Sequence, residues 1–223
     1  AQQVLEAKLG SGFSIKAYTL EAAGISCKSI DYSVIEENAL RAPDLEAAAL
    51  MEEKIAEIRK AGDSAGAIIE CVIDGVPAGL GEPVFDKIDA ELGKAMLSIG
   101  AVKGIEFGEG FNSASMTGSV WNDKMRVSED GKITFKTNHA GGILGGISNG
   151  NQIVFRLAVK PVPSIFIAQK TVNKAGENID LEIKGRHDVC LAPRIVPVVE
   201  AMAAITILDL LLQQEIVMRG RNP

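Results

Sequence analysis

Aromatic side chains are scarce in this sequence. Only 4% of its residues are Phe, Trp or Tyr, and just one is Trp. The core must therefore be built from Ile, Val, Leu and Ala, and the 47% apolar content of the 223 residues is enough to build one. Cysteine is nearly absent. Cys27, Cys71 and Cys190 are odd in number, widely spaced and never in a Cys-x-x-Cys pair. With only two histidines, that argues against a zinc site or any other metal centre and for reduced thiols in the cytoplasm. An excess of positive charge is missing too. A net charge of −6 argues against non-specific nucleic-acid binding, which needs clustered cations. It leaves room for a locally positive pocket. No secretory signal pattern is visible. The longest apolar run, residues 195–212, holds Pro197, Glu200 and Asp209, and reads as a buried core helix rather than a membrane span.

Glycine, in contrast, is plentiful at 23 residues, and much of it is clustered. That implies tight turns and close backbone approach to something. Residues 1–9 read as a helix with no capping residue before it, ended by Gly10. A natural domain seldom opens in this way. Residues 13–20 alternate as a strand does. Pro43 and Asp44 start a helix with Leu45, Ala48, Ala49, Ile55 and Ile58 on one face, stopped by Gly62. Residues 67–73 form a β-branched strand. Pro83 starts a second helix, with Phe85, Ile88, Leu92, Ala95, Met96 and Ile99 on one side, and residues 102–107 return as a strand. Residues 113–136 are polar and weakly patterned. Strands follow at 153–159, 165–167 and 179–183, then a terminal helix from Val198 to about Met218. That helix is apolar nearly all round and reads as the central element. The order implies helices covering one face of a sheet. It gives an α/β (α+β) chain with a buried C-terminal helix, in a single domain over 1–223.

Four segments could carry chemistry. The densest is Gly185-Arg186-His187-Asp188-Val189-Cys190, which leads into the helix bearing Glu200-Ala201-Met202. An adjacent cation favours the ionised form of Asp188, and a partly buried carboxylate could take or hold a proton. The same residues could equally be an ion-pair network capping the helix. Residues 139–150 hold five glycines in twelve residues, enough to aim backbone N–H groups at a ligand. Their spacing is neither a dinucleotide fingerprint nor a P-loop, and a tight crossover between strands would use them as well. His139 itself reads as a loop anchor. Lys160-Pro161-Val162-Pro163-Ser164 holds a cation and a hydroxyl on a stiffened chain, which suits a phosphate. By itself it reads as a rigid turn. Ser98-Ile99-Gly100-Ala101 reads as a helix C-cap or as backbone exposed to a flat ring.

In their order along the chain, these segments resemble the C-terminal portion of chorismate synthase. Supporting stretches are Gly79-Leu80-Gly81-Glu82-Pro83-Val84-Phe85-Asp86-Lys87 and Ala101-Val102-Lys103-Gly104-Ile105-Glu106-Phe107-Gly108. Asn138 to Ser148 and the Arg186 signature complete the set. The resemblance implies a β-α sandwich and a cytoplasmic homotetramer. It implies a lyase of the shikimate pathway, serving aromatic amino-acid biosynthesis. Its reaction would be the 1,4-elimination of phosphate from 5-enolpyruvylshikimate 3-phosphate to give chorismate. Reduced FMN would be the cofactor, with NADPH a possible source of reductant, and neither nucleic acid nor membrane would be a partner. Carried over residue by residue, the flavin contacts are Gly100, Ala101, Gly145, Lys160, Pro161, Val162, Pro163, Ser164 and Arg186. Asp188 is the catalytic carboxylate near the flavin. Family members often carry Asn or Pro at Gly100. The family's Gly-Glu-Ser-His-Gly type motif, a further histidine and a Ser-Ala-Arg type motif are not found in these residues. The sequence therefore reads as a C-terminal portion, inactive by itself. A non-catalytic fragment retaining core and oligomer contacts, or a generic flavin-binding module, are the alternatives.

Overall fold

The computed structural model describes residues 1–219. Helix α1 (Gln2–Leu9) ends at Gly10, and strand β1 (Ser14–Ala22) turns back into β2 (Ile25–Ser26). Helix α2 (Leu45–Lys60) precedes β3 (Ala67–Asp74), and α3 (Ile88–Leu97) precedes β4 (Val102–Phe107). The polar stretch after β4 holds a short α4 (Gly118–Trp121) and a small hairpin, β5 (Met125–Val127) with β6 (Ile133–Phe135). A second hairpin, β7 (Ile143–Leu144) with β8 (Ile147–Ser148), leads to β9 (Ile153–Val159). A third pairs β10 (Gln169–Val172) with β11 (Asn178–Leu181), Gln169 opposite Leu181. Helix α5 (Ala192–Arg219) closes the described chain. The main sheet has five strands in the order β2-β1-β3-β9-β4.

The chain divides into two compact units. One comprises Ala1–Ala17, Glu70–Leu157 and the chain from Pro197 onward; the other comprises Tyr18–Ile69 and Ala158–Val196. The core of the first is mainly aliphatic as the composition requires, with Leu5, Ile73, Leu92, Met96, Ile153, Leu157 and Ile207 fully buried beside few aromatic rings, Phe13 and Phe155 among them. The second is smaller and buries Tyr18, Met51, Ile55, Ile69 and Ile195.

Three readings need correction. The second helix begins at Ile88, not Pro83, and Phe85 is 87% exposed. Glu82 and Asp86 exchange both backbone hydrogen bonds, closing residues 82–86 into a turn before the helix can start. Residues 165–167 form no strand, because two prolines precede them and the Phe166 N–H is given to Gly62 O. The terminal helix begins six residues before Val198 and is not buried all round. Ile195, Val199, Ala203, Ile207 and Leu210 are buried along one face, while Val198, Ile205, Leu212 and Ile216 are exposed on another. By length and composition it could cross a membrane, but half of its most apolar stretch is buried within the chain. Its Glu200 also accepts the Ala17 N–H at 2.9 Å. That is the construction of a core helix.

Candidate functional site

In the second unit, the turn that follows α2 gathers two of the segments singled out from sequence. Gly62, at φ +75°, reverses the chain and its carbonyl accepts the Phe166 N–H at 2.9 Å. Ser64 Oγ donates to Val162 O at 2.6 Å. A Cβ on Gly66 would lie 2.9 Å from Val159 O and 3.3 Å from the Pro161 ring, so only glycine lets the Lys160–Ser164 segment lie this close. From the other side, Ala65 N–H donates to Val189 O at 2.8 Å, and Ala65 bridges Cys190. The Phe166 and His187 rings meet at 6.0 Å. Apart from Gly62 as a helix stop, residues 62–66 were not singled out from sequence. Their Gly-x-x-x-Gly spacing after a helix was the available signal.

A cleft of about 640 Å³ opens beside Arg186, His187, Asp188 and Cys190, with Arg59 and Glu52 of α2 and Arg194 of α5 on its walls. The cation against Asp188 is Arg194, not its chain neighbour Arg186. Arg194 Nη1 lies 2.9 Å from Asp188 Oδ2. Arg59, Lys160 and Arg186 make no ion pair among the described residues. The buried Nε2 of His187 has no hydrogen-bond partner. Burial, and then the Asp188 charge, push the Cys190 thiol up, against a backbone hydrogen bond from Ala192, so it is no thiolate nucleophile at neutral pH.

The other expected contacts lie in the first unit. Gly100 and Ala101 link α3 to β4, and Ala101 holds φ +74°. Gly145 and Gly146, at φ +62° and +84°, are the two central residues of the β7–β8 hairpin, as a type I′ turn demands. The glycine-dense segment is thus a hairpin rather than a crossover. Gly145 sits exposed at its tip, while Gly146 O accepts the Ile88 N–H at 3.0 Å. Buried Ser148 anchors the hairpin by donating to Pro77 O at 2.6 Å and accepting from Leu80 N at 2.9 Å. His139 is a loop anchor, its Nδ1 3.0 Å from Trp121 O. Beside it, Asp123, a residue not singled out from sequence, accepts from Thr137 Oγ1, His139 N and Ala140 N. Burial alone would raise its carboxyl, and those three hydrogen bonds outweigh burial and hold it low.

Residues 1–212 match the family described as chorismate synthase. The chain belongs to the chorismate synthase family. It is 51% identical over 205 residues to the chorismate synthase of Roseiflexus castenholzii, a match covering 92% of this chain and 57% of the relative. It is 53% identical over 207 residues to that of Methanosarcina mazei, covering 91% and 56%. A crystal structure of chorismate synthase aligns with a TM-score of 0.78 at 28% identity, over 96% of this chain and 60% of the other. The chain therefore spans a little over half the length of the curated relatives it matches. Chorismate synthases of this family imply a flavin, and the second unit's donors fit a flavin mononucleotide. Among the described residues Arg59, Arg186 and Lys160 are cations with no carboxylate in ion-pair range, and His187 Nε2 is a buried polar atom with no hydrogen-bond partner. The cleft volume is also in the range of small-molecule sites.

Proposed function

We propose that this chain contributes flavin contacts and a proton-handling carboxylate to a chorismate synthase acting on 5-enolpyruvylshikimate 3-phosphate. The reading rests on one observation. Lys160–Ser164 docks on the Gly62–Gly66 turn through Val162, the Arg186–Cys190 segment, over twenty residues on, docks there through Val189 and Cys190, and Arg186 and Asp188 line a cation-rich cleft. In the elimination, the C–O bond to phosphate and the C6–H bond both break, phosphate and a proton leave, and the ring gains a second double bond. Reduced FMN, when bound, supplies an electron transiently and recovers it, so there is no net redox change. Arg186, Lys160 and Ser164 of the second unit would hold the cofactor, together with Pro161, Val162 and Pro163. Asp188 would take or hold a proton beside it. The cytoplasmic homotetramer and the NADPH-derived reductant belong to the same reading.

The test is an anaerobic assay of the protein carrying this chain, with pre-reduced FMN and substrate. One phosphate released per chorismate formed is expected, and no turnover with oxidised FMN. Equal turnover without flavin, or phosphate release without chorismate, would overturn the reading. The 223 residues assayed alone should be silent, because the Gly-Glu-Ser-His-Gly type motif is not among them. Turnover by them alone would show that their own groups suffice.

A further inference from the structure

We infer that Arg194 is a positioning residue for Asp188, and that Asp188 handles its proton through Oδ1. The inference rests on the reading of Asp188 given above. Asp188 Oδ2 is engaged by Arg194 Nη1 at 2.9 Å, and no other hydrogen bond or ion pair reaches Asp188 among the described residues. Oδ1 is therefore the oxygen left open. The two partners stand on different ground. Arg194 lies in the first turn of α5, its N–H bonded to Leu191 O at 3.0 Å, beside Ala192, Val196 and Val199, which are buried at 0–1% exposure. Asp188 lies on an irregular segment whose nearest backbone tie is Val189 O to Ala65 N. A carboxylate on such a segment samples several rotamers, and a guanidinium carried by a rigid helix selects one. The Arg194 side chain is 68% exposed, so the pair adds little to fold stability. Its use is orientation. The other charged groups facing the pair across the cleft are Glu52, Arg59 and Arg186.

The experiment uses the flavin-loaded enzyme that contains this chain, with Arg194→Gln, Arg194→Lys, Asp188→Asn and the double variant Arg194→Gln/Asp188→Asn. Arg194→Gln should lower kcat about tenfold or more, because a small misplacement of a reacting group is costly. KM for the substrate, flavin affinity and Tm should hold within error. Arg194→Lys should restore part of the loss. The double variant should be no slower than Asp188→Asn alone, since Arg194 acts only through that carboxylate. In the ligand-free protein, three-bond NMR couplings should report one Asp188 χ1 rotamer, averaging in Arg194→Gln. A near-normal kcat for Arg194→Gln beside a slow Asp188→Asn overturns the positioning role. So does a raised KM at unchanged kcat, or losses that multiply in the double variant. Normal turnover in Asp188→Asn sinks instead the reading on which the inference rests.

Discussion

Ala101 is the strained residue of the α3–β4 connection, and the glycine beside it is not. Ala101 holds φ +74°, where a Cβ crowds the neighbouring carbonyl at a cost of roughly 1–2 kcal/mol. Gly100 lies outside the left-handed region, and a Cβ there would meet nothing within 4 Å. The freedom of glycine is thus placed one residue away from where the backbone uses it. Strain of this kind persists where the surroundings hold it. Ala101→Gly should raise stability by about 0.5–1 kcal/mol, and Gly100→Ala by a similar amount through the unfolded chain. Urea unfolding of the two single variants checks this. A lowered midpoint for Ala101→Gly would show that the left-handed turn is not held. Sequence pointed to both residues through the family resemblance but could not tell which was strained, because dihedral angles follow from packing and not from residue type.

Asp44 shows how one residue sets an element. Its carboxylate caps α2 by accepting from Ala47 N at 3.0 Å, and it also accepts from Lys28 N at 2.9 Å and Ser29 N at 3.2 Å. The Ala47 and Lys28 bonds, helped by Ser29 and opposed by burial, bring its carboxyl down to about 2. A folded value below the unfolded 3.8 means that the charge stabilises the fold above about pH 4. That contribution, on the order of 2 kcal/mol, is lost as pH falls through about 2. Asp44→Asn keeps the shape and removes the charge. It should be less stable than the parent at neutral pH, with the gap closing between pH 4 and 2. Thermal melts across that range check it, and a gap independent of pH would assign the effect to shape alone. The Pro43-Asp44 pair made this helix start legible, as β-branched runs did for β3 and β9. Elsewhere proline misled. Pro83 reads as a helix start but lies in the Glu82–Asp86 turn. Pro193 and Pro197 fall inside α5, Pro193 in its first turn, where a missing N–H costs nothing.

At the scale of the whole chain, what escaped the sequence is pairing over distance. Arg186 and Asp188 could be found as a run, but the partner of Asp188 sits on the next helix. No spacing rule joins Ser64 to Val162, 98 residues away. The same holds for the ion cluster that ties β3, β9 and β4 together. Arg156 Nε lies 2.6 Å from Glu70 Oε2, and its Nη1 lies 3.4 Å from Glu106 Oε1 and 3.3 Å from Gly108 O. Burial would lower the Arg156 pKa, and the charge and hydrogen bond of Glu70, with help from Glu106, more than reverse that. Glu70 is only 8% exposed, and Arg156 is one of its partners. Arg156→Leu should cost about 3 kcal/mol or more, because it removes a paired guanidinium from beside a buried carboxylate. Arg156→Leu/Glu70→Leu removes both charges and should recover most of that loss, since a buried ion pair is often replaceable by apolar side chains of similar volume. Urea denaturation of parent, single and double variants at neutral pH measures the difference. If the double variant is no more stable than Arg156→Leu, the cost comes from lost packing along β9, and charge pairing is not what joins these three strands.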